Sequence, residues 1–136
     1  MSPSFHKEEI MIQAYGLNVT VPQNSAIIFN NVTLQKGCTV ELSGGSTFQL
    51  NKCGVYEVCV DCSSATAATI QLFKDGVAQN QAQSIGTSPS FISLVQVDRN
   101  NSECCACSSP VTLQVKNIGS ASATFTDANI VITKVV

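Results

Sequence analysis

The most informative segment of the chain reads Phe48-Gln-Leu50-Asn-Lys-Cys-Gly54-Val-Tyr56-Glu-Val58. Large apolar residues alternate with other residues on both sides of a single glycine. Because successive side chains of a β-strand point to opposite faces, this alternation predicts two strands, over 47–50 and 55–61.

Further strand candidates recur at short intervals around this segment, and turn residues separate them. Asp75-Gly76 and Gly44-Gly45 each lie between two such runs and predict tight hairpins. No window longer than about ten residues has the apolar spacing of a helix. The remaining predicted strands are 12–15, 26–29, 39–42, 69–74, 90–97, 111–115, 123–126 and 129–135. About ten short strands predict an all-β protein, a two-sheet antiparallel jelly-roll sandwich.

The alternation is clearest over 55–62. One face of this strand holds Tyr56, Val58, Val60 and Cys62, and we assign it to the core. The opposite face mixes apolar and acidic residues, which suits a subunit interface or solvent. It consists of Val55, Glu57, Cys59 and Asp61.

The last strand, 129–135, is apolar on both faces. Ile130 and Ile132 lie on one face, and Val131, Thr133 and Val135 lie on the other. A strand of this kind is central in its sheet and covered on both sides. Because the chain is short, we predict that another subunit covers the second face of this strand.

Length and charge limit the protein classes that fit. The 136 residues predict one domain, 11–136, preceded by a polar N-terminal arm, 1–10. Lys and Arg number 7 and Asp and Glu 9, so the basic stripe of a nucleic-acid-binding module is missing. No run approaches the ~20 apolar residues of a membrane span, and the first ten residues lack the apolar core of a signal peptide.

The sequence predicts no catalytic site. The single histidine, His6, lies in the arm, outside any recognisable triad motif. Glu57 and Asp61 share a strand face, but their spacing of about 13 Å along the strand is too long for a glycosidase pair. With no tryptophan, a platform of stacked aromatics for carbohydrate is not expected either.

The quoted segment resembles the F-x-L-x-x-x-G-x-Y-x-V signature of tumour-necrosis-factor-like and complement-globular-head-like jelly rolls. The similarity extends over nearly all of 12–136. The chain also resembles bacterial and phage members of this group, such as the C-terminal domain of collagen-like spore-surface glycoproteins. It differs from those glycoproteins in that no Gly-X-Y stalk precedes the domain. The resemblance implies a compact homotrimer. Its core and trimer signature consists of Phe48, Leu50, Gly54, Tyr56, Val58, Ile130 and Ile132.

Seven cysteines, an odd number, form the second notable pattern. Cys59 and Cys62 have CxxC spacing, but on a strand they lie about 10 Å apart, beyond the roughly 7 Å that a disulfide spans. Cys38 and Cys53 flank the Gly44-Gly45 hairpin, and a bridge between them is one candidate.

The resembled topology brings Cys62 towards a loop that holds the other three cysteines. Disulfide, structural zinc and free thiols are the three alternatives for this group, and no other cofactor is predicted. The loop cysteines are Cys104, Cys105 and Cys107.

These observations favour a non-enzymatic structural protein on a bacteriophage virion, as a capsid decoration or head-fibre protein. The arm, through Phe5, His6 and Ile10, is expected to attach the trimer to the major capsid protein or another virion protein. The alternative is a receptor- or glycan-binding trimeric head on a phage tail, a bacterial surface or a spore surface.

Overall fold

The structure is a computed structural model that describes residues 8–98 and 106–136, with side chains from 110 onward in the second range. Ten strands and no helix make up the described part. No segment described here is therefore a helix able to cross a membrane. The strands are β1 (Glu9–Val21), β2 (Asn31–Gln35), β3 (Val40–Ser43), β4 (Thr47–Lys52), β5 (Gly54–Ser64), β6 (Ala68–Lys74), β7 (Val77–Gly86), β8 (Ser90–Val97), β9 (Ala106–Asn117) and β10 (Ala123–Lys134).

The strands form two five-stranded antiparallel sheets. The first sheet has the order β2-β1-β10-β5-β8, and the second has the order β3-β4-β9-β6-β7. Successive strands of the chain often lie in different sheets, as in a jelly roll. The predicted all-β, two-sheet jelly-roll fold is confirmed.

Individual strands differ from the predicted ones. The predicted strand at 26–29 makes only one isolated bridge, between Ala26 and Lys116, because its backbone bonds to separate segments. The predicted strands 123–126 and 129–135 form one strand, β10. Strand β2 was not predicted, and β7 was predicted only as the polar arm after the Asp75-Gly76 turn, since both are edge strands with few buried side chains.

Both predicted hairpins are confirmed. Asp75 and Gly76 have φ angles of 51° and 81° and connect β6 to β7. Gly44 and Gly45, at 65° and 77°, lie in the turn between β3 and β4. Positive φ at these positions matches the twist that a tight antiparallel connection requires.

The core lies between the two sheets and includes every apolar residue of the predicted signature. Phe48 and Leu50 enter it from β4 in the second sheet, whereas Tyr56 and Val58 enter it from β5 in the first. The signature therefore spans the point where the chain changes sheets. Burying a large apolar side chain stabilises a fold by about 1.5–3 kcal/mol, so these residues carry much of the stability. The largest fully buried side chains are Tyr56, Phe29, Phe48, Phe125, Ile12, Ile27, Leu50, Ile70, Leu72, Leu113, Ile130 and Ile132.

Gly54 occupies the crossover between β4 and β5. Its φ is +144°, and a Cβ added there would lie 2.5 Å from the carbonyl oxygen of Val136. Two residues after Gly54, the hydroxyl of Tyr56 reaches back and donates a hydrogen bond of 2.7 Å to the carbonyl of Lys52. At the crossover two backbone segments thus approach so closely that only glycine fits, and the buried Tyr56 bonds back to the end of β4.

The terminal strand β10 lies at the centre of the first sheet, between β1 and β5, as predicted. Ile130 and Ile132 are fully buried. The domain begins earlier than predicted, because Glu9 pairs with Lys134 and Ile10 with Thr133. Ile10 is therefore a sheet residue and not part of a free arm, a correction of the predicted boundary. Phe5 and His6 lie outside the described residues.

Candidate functional site

Several exposed apolar side chains lie on the first sheet, on the side away from the core. We call this side the outer face. Residues paired directly across neighbouring strands share a face, so the register identifies its members. They are Asn31 and Leu34 on β2; Ile10, Gln13, Tyr15 and Leu17 on β1; Asp127, Asn129, Val131 and Thr133 on β10; Val55, Glu57, Cys59, Asp61 and Ser63 on β5; and Ser90, Ile92, Leu94 and Gln96 on β8.

A mostly apolar row crosses the outer face from edge to edge. Its residues pair in the order Leu34, Gln13, Val131, Cys59 and Ile92, one from each strand of the sheet. The two ends of the row are well exposed, with Leu34 at 42% and Ile92 at 67%. An exposed surface with apolar side chains at both ends of one row is a candidate interaction site.

Leu94 extends the apolar surface along β8. Its side chain is 62% exposed, and it pairs with Glu57 on β5. Between β8, β5 and β10 the face encloses a groove of about 510 Å³. The groove is lined by Cys59, Val60, Asp61, Ser90, Phe91, Ile92, Asn129 and Val131.

The charged groups of the outer face are all acidic. Asp61 and Asp127 flank Asn129, whose side-chain amide donates a hydrogen bond of 3.2 Å to a carboxylate oxygen of each. Glu57 is the third carboxylate of the face. No residue of the outer face is a lysine, arginine or histidine.

The face also carries a protonated thiol. The Sγ of Cys59 lies 3.7 Å from a carboxylate oxygen of Glu57 and donates to it. Partial burial raises the pKa of Cys59, and the charge of Glu57 and this hydrogen bond raise it further. The thiol is therefore a weak nucleophile at neutral pH.

Cys62 lies on the opposite side of β5, in the core, and is only 3% exposed. Burial raises its pKa to about 12, with further contributions from the charges of Asp61 and Asp127. Cys59 and Cys62 are both free thiols, so the expectation that the CxxC pair does not close is confirmed.

The other cysteine predictions need correction. Cys53 is disulfide-bonded, whereas Cys38 is free, so the suggested bridge between them is wrong. Cys62 is also free, which rules out the disulfide alternative for this residue and agrees with the free-thiol alternative. Cys104, Cys105 and the side chain of Cys107 lie outside the described residues. Among the residues that are described, no group of three His, Cys, Asp or Glu is placed to hold a metal ion.

The sequence pattern identified only part of the outer face. It found the β5 side chains and Val131, because their strands alternate clearly. It missed the β1 and β2 contributions, above all Leu34, since β2 lacks a recognisable strand pattern. The contact of Asn129 with both aspartates depends on cross-strand register, which local patterns do not reveal.

Three solved structures resemble this chain over most of its length. The globular domain of zebrafish complement 1qA protein has a TM-score of 0.68 at 8% identity, covering 92% of this chain and 95% of that chain. Murine APRIL has a TM-score of 0.64 at 12% identity, covering 92% and 98%. The Eiger TNF of S. frugiperda has a TM-score of 0.62 at 12% identity, covering 94% of each.

No protein-family model matches the chain, and no curated protein matches it significantly. At these identities the structural likeness establishes the fold. The chain has the jelly-roll fold shared by tumour-necrosis-factor-like and complement-globular-head-like domains.

Proposed function

We propose that this chain, a tumour-necrosis-factor-like jelly roll by fold, is a non-enzymatic structural protein that assembles as a homotrimer through its outer face. The observation that carries the proposal is the row from Leu34 to Ile92. It spans all five strands of a sheet whose other side already covers the core. A second copy is the natural cover for a face that is apolar at both edges.

A trimer needs a head-to-tail contact, in which one patch of each copy meets a different patch of the next. The two edges of the first sheet supply two such patches. One holds Leu34 on β2, and the other holds Ile92 and Leu94 on β8. The resemblance to trimeric jelly rolls favours closure with three copies.

The test compares two substitutions at equally exposed positions. Leu94→Glu adds a charge to the outer face, and Val77→Glu adds one to the edge strand β7 of the other sheet. The wild-type residues are 62% and 63% exposed, so the variants differ mainly in location. We expect sedimentation velocity to show trimers for wild type and Val77→Glu, and monomers for Leu94→Glu. A wild-type monomer at micromolar concentration would contradict the proposal.

We place the trimer on a bacteriophage virion, as a capsid decoration or head-fibre protein. Support comes from the resemblance to phage-encoded members and from a surface rich in uncharged polar residues. Mass spectrometry of gradient-purified virions tests this location. Recovery of the protein only from spores or culture supernatant would contradict it.

The arm is the proposed attachment to the capsid or another virion protein, through Phe5 and His6. Because Ile10 is part of β1, the deletion that tests the arm must stop before the sheet begins. Removal of residues 2–7 should leave the melting temperature unchanged and abolish co-purification with the particle. A truncated protein that stays on the particle would contradict the role of the arm.

A receptor- or glycan-binding head is the second candidate function. The groove of about 510 Å³ favours it, because Asp61, Ser90 and Asn129 bring hydrogen-bonding groups to an apolar pocket. A glycan array probed with the intact protein separates the two functions. Specific binding that Asn129→Ala removes would support the second.

A further inference from the structure

We propose that ionisation of the outer-face carboxylates limits self-association, so that the assembly becomes tighter when Glu57, Asp61 and Asp127 are neutralised. The inference rests on the proposed homotrimer and adds a means of controlling it. Its physical basis is the charge of a surface that has to be buried against copies of itself.

The first observation is the arrangement of Asp61 and Asp127. Both carboxylates accept hydrogen bonds from one amide, that of Asn129, at 3.2 Å each. The neutral amide of Asn129 thus holds two like charges close together and does not neutralise the charge of either carboxylate. Asp61 also lines the groove, so its charge lies beside the apolar surface that another copy would cover.

The second observation is the set of charges on the strands around this pair. Strand β5 contributes Asp61 and Glu57, and β10 contributes Asp127. The other titratable side chains of the face are Tyr15 on β1 and Cys59 on β5, and burial and the charge of Glu57 raise the pKa of Cys59. The face positions of β8 and β2 carry no ionisable side chain.

The two described lysines on or next to strands β2 and β10 of this sheet bind other groups. Lys36, next to β2, forms an ion pair of 2.8 Å with Glu9 at the edge of the sheet. Lys134 lies on the core side of β10, 6.0 Å from the ring centre of Tyr56, and its Nζ donates to the carbonyl of Val136 at 2.7 Å. Neither pairs with the three carboxylates of the outer face.

Association through this face therefore removes water from its carboxylates and gathers the like-charged carboxylates of three copies in one assembly. Both effects disfavour the charged carboxylates relative to their protonated forms. Protons are consequently taken up when copies associate, and acid favours the assembly by linkage. Salt acts in the same direction, because the Debye length falls from about 10 Å at 0.1 M to about 3 Å at 1 M.

The experiment measures the dissociation of the assembly by sedimentation equilibrium over a dilution series. The test variant is Asp61→Asn/Asp127→Asn, which keeps an oxygen acceptor for Asn129 at each position. The matched control is Glu41→Gln on β3 in the second sheet, which removes one charge away from the outer face and keeps an acceptor for Asn51. Thermal unfolding of each variant confirms that the domain is folded.

At pH 7.5 we expect the test variant to dissociate at a concentration roughly tenfold or more below that of wild type. The wild-type assembly should dissociate at a lower concentration at pH 4.5 than at pH 7.5. The dissociation of the test variant should change less between these pH values. The control should follow wild type.

The possible results separate this inference from the proposed function. A trimer whose dissociation is the same in wild type and test variant overturns the charge effect and leaves the trimer intact. Weaker association of the test variant also overturns it, because the aspartates would then stabilise the contact. Monomers in every variant, at both pH values, overturn the proposed homotrimer and this inference together.

Discussion

Asp75 and Thr112 hold each other by three hydrogen bonds across the second sheet. One carboxylate oxygen of Asp75 accepts from the backbone N–H of Thr112 at 2.9 Å and from its hydroxyl at 3.3 Å. In return the N–H of Asp75 donates to the carbonyl of Thr112 at 2.9 Å. Asp75 also has a positive φ of 51°. The residue that makes the β6–β7 turn therefore also ties this turn to β9.

Replacing Asp75 by alanine should destabilise the domain by about 1–2 kcal/mol, because Thr112 loses both side-chain acceptor contacts and alanine tolerates positive φ poorly. Urea denaturation measures the difference. Asp75→Asn is the control, since asparagine keeps an oxygen acceptor and adopts positive φ more readily. Equal stability of the alanine variant and wild type would contradict the role assigned to this contact.

Two glycines allow backbone strain and steric overlap to be separated. Gly37 has φ +62° and open space where a Cβ would lie, whereas Gly54 has φ +144° and would place a Cβ 2.5 Å from the Val136 carbonyl oxygen. Gly37→Ala should cost about 1 kcal/mol of conformational strain. Gly54→Ala should cost more, by at least ~2 kcal/mol, because backbone must also move.

Thermal melts of both variants, side by side, measure this difference. If the two alanine variants melted together, the close approach at the crossover would not limit the residue at position 54.

Alkaline pH should destabilise the fold through Cys62. The thiol ionises with a pKa near its ordinary 9.0 in the unfolded chain and at about 12 in the fold, where burial opposes the charge. The stability that depends on the neutral thiol is thus complete below pH 9 and is lost as the pH rises towards 12. Between pH 8 and pH 11 this loss should be roughly 2 kcal/mol.

Cys62→Ala removes the ionising group and supplies the comparison. Although it opens a small cavity, its own stability should fall less between pH 8 and pH 11 than that of wild type. Guanidinium denaturation at each pH gives the four free energies of unfolding. An identical pH slope in both proteins would show that Cys62 does not titrate on unfolding.

Cysteine labelling should distinguish the bonded sulfur from the free ones. Trypsin releases residues 53–74 as one peptide, which contains Cys53, Cys59 and Cys62. Because only Cys53 is disulfide-bonded, this peptide should carry two alkyl groups when the unfolded protein is labelled without reductant, and three after reduction. Cys38 should be labelled under both conditions.

The same experiment locates the partner of Cys53, which is none of the free thiols Cys38, Cys59 and Cys62. We predict that the non-reduced digest joins peptide 53–74 to the peptide with Cys104, Cys105 and Cys107, the loop that the sequence singles out. Zinc bound to the purified protein, or three labels on peptide 53–74 without reductant, would contradict this assignment.

Much of the architecture was predictable because alternation and turn chemistry are local. Tyr56 and Val58 on β5, Ile130 and Ile132 on β10, and the turn at Asp75 all lie where the pattern places them. The segment 26–29 has strand composition but bonds to the backbone of Val115 and Gly45 from two sides, so tertiary contacts replace a ladder.

The contacts of some buried polar residues depend on distant parts of the chain. Asn117, fully buried, donates to the carbonyls of Val21 and Ala121 at 3.0 Å and accepts from the N–H of Gly119. Nothing in its neighbourhood of the sequence distinguishes it from other asparagines. Cys62, in contrast, has the spacing of a ligand, but the alternation along β5 already places it on the core side.

The pairing of β1 with β10 has a consequence for folding during translation. Glu9 pairs with Lys134 and Val21 with Ala123, so the first described strand of this domain pairs along its whole length with the last described strand. Loops of more than a hundred residues must close before this ladder forms, and such topologies fold slowly. While the ribosome is still translating, β1 lacks its main partner. The first sheet is completed only after β10 has left the exit tunnel.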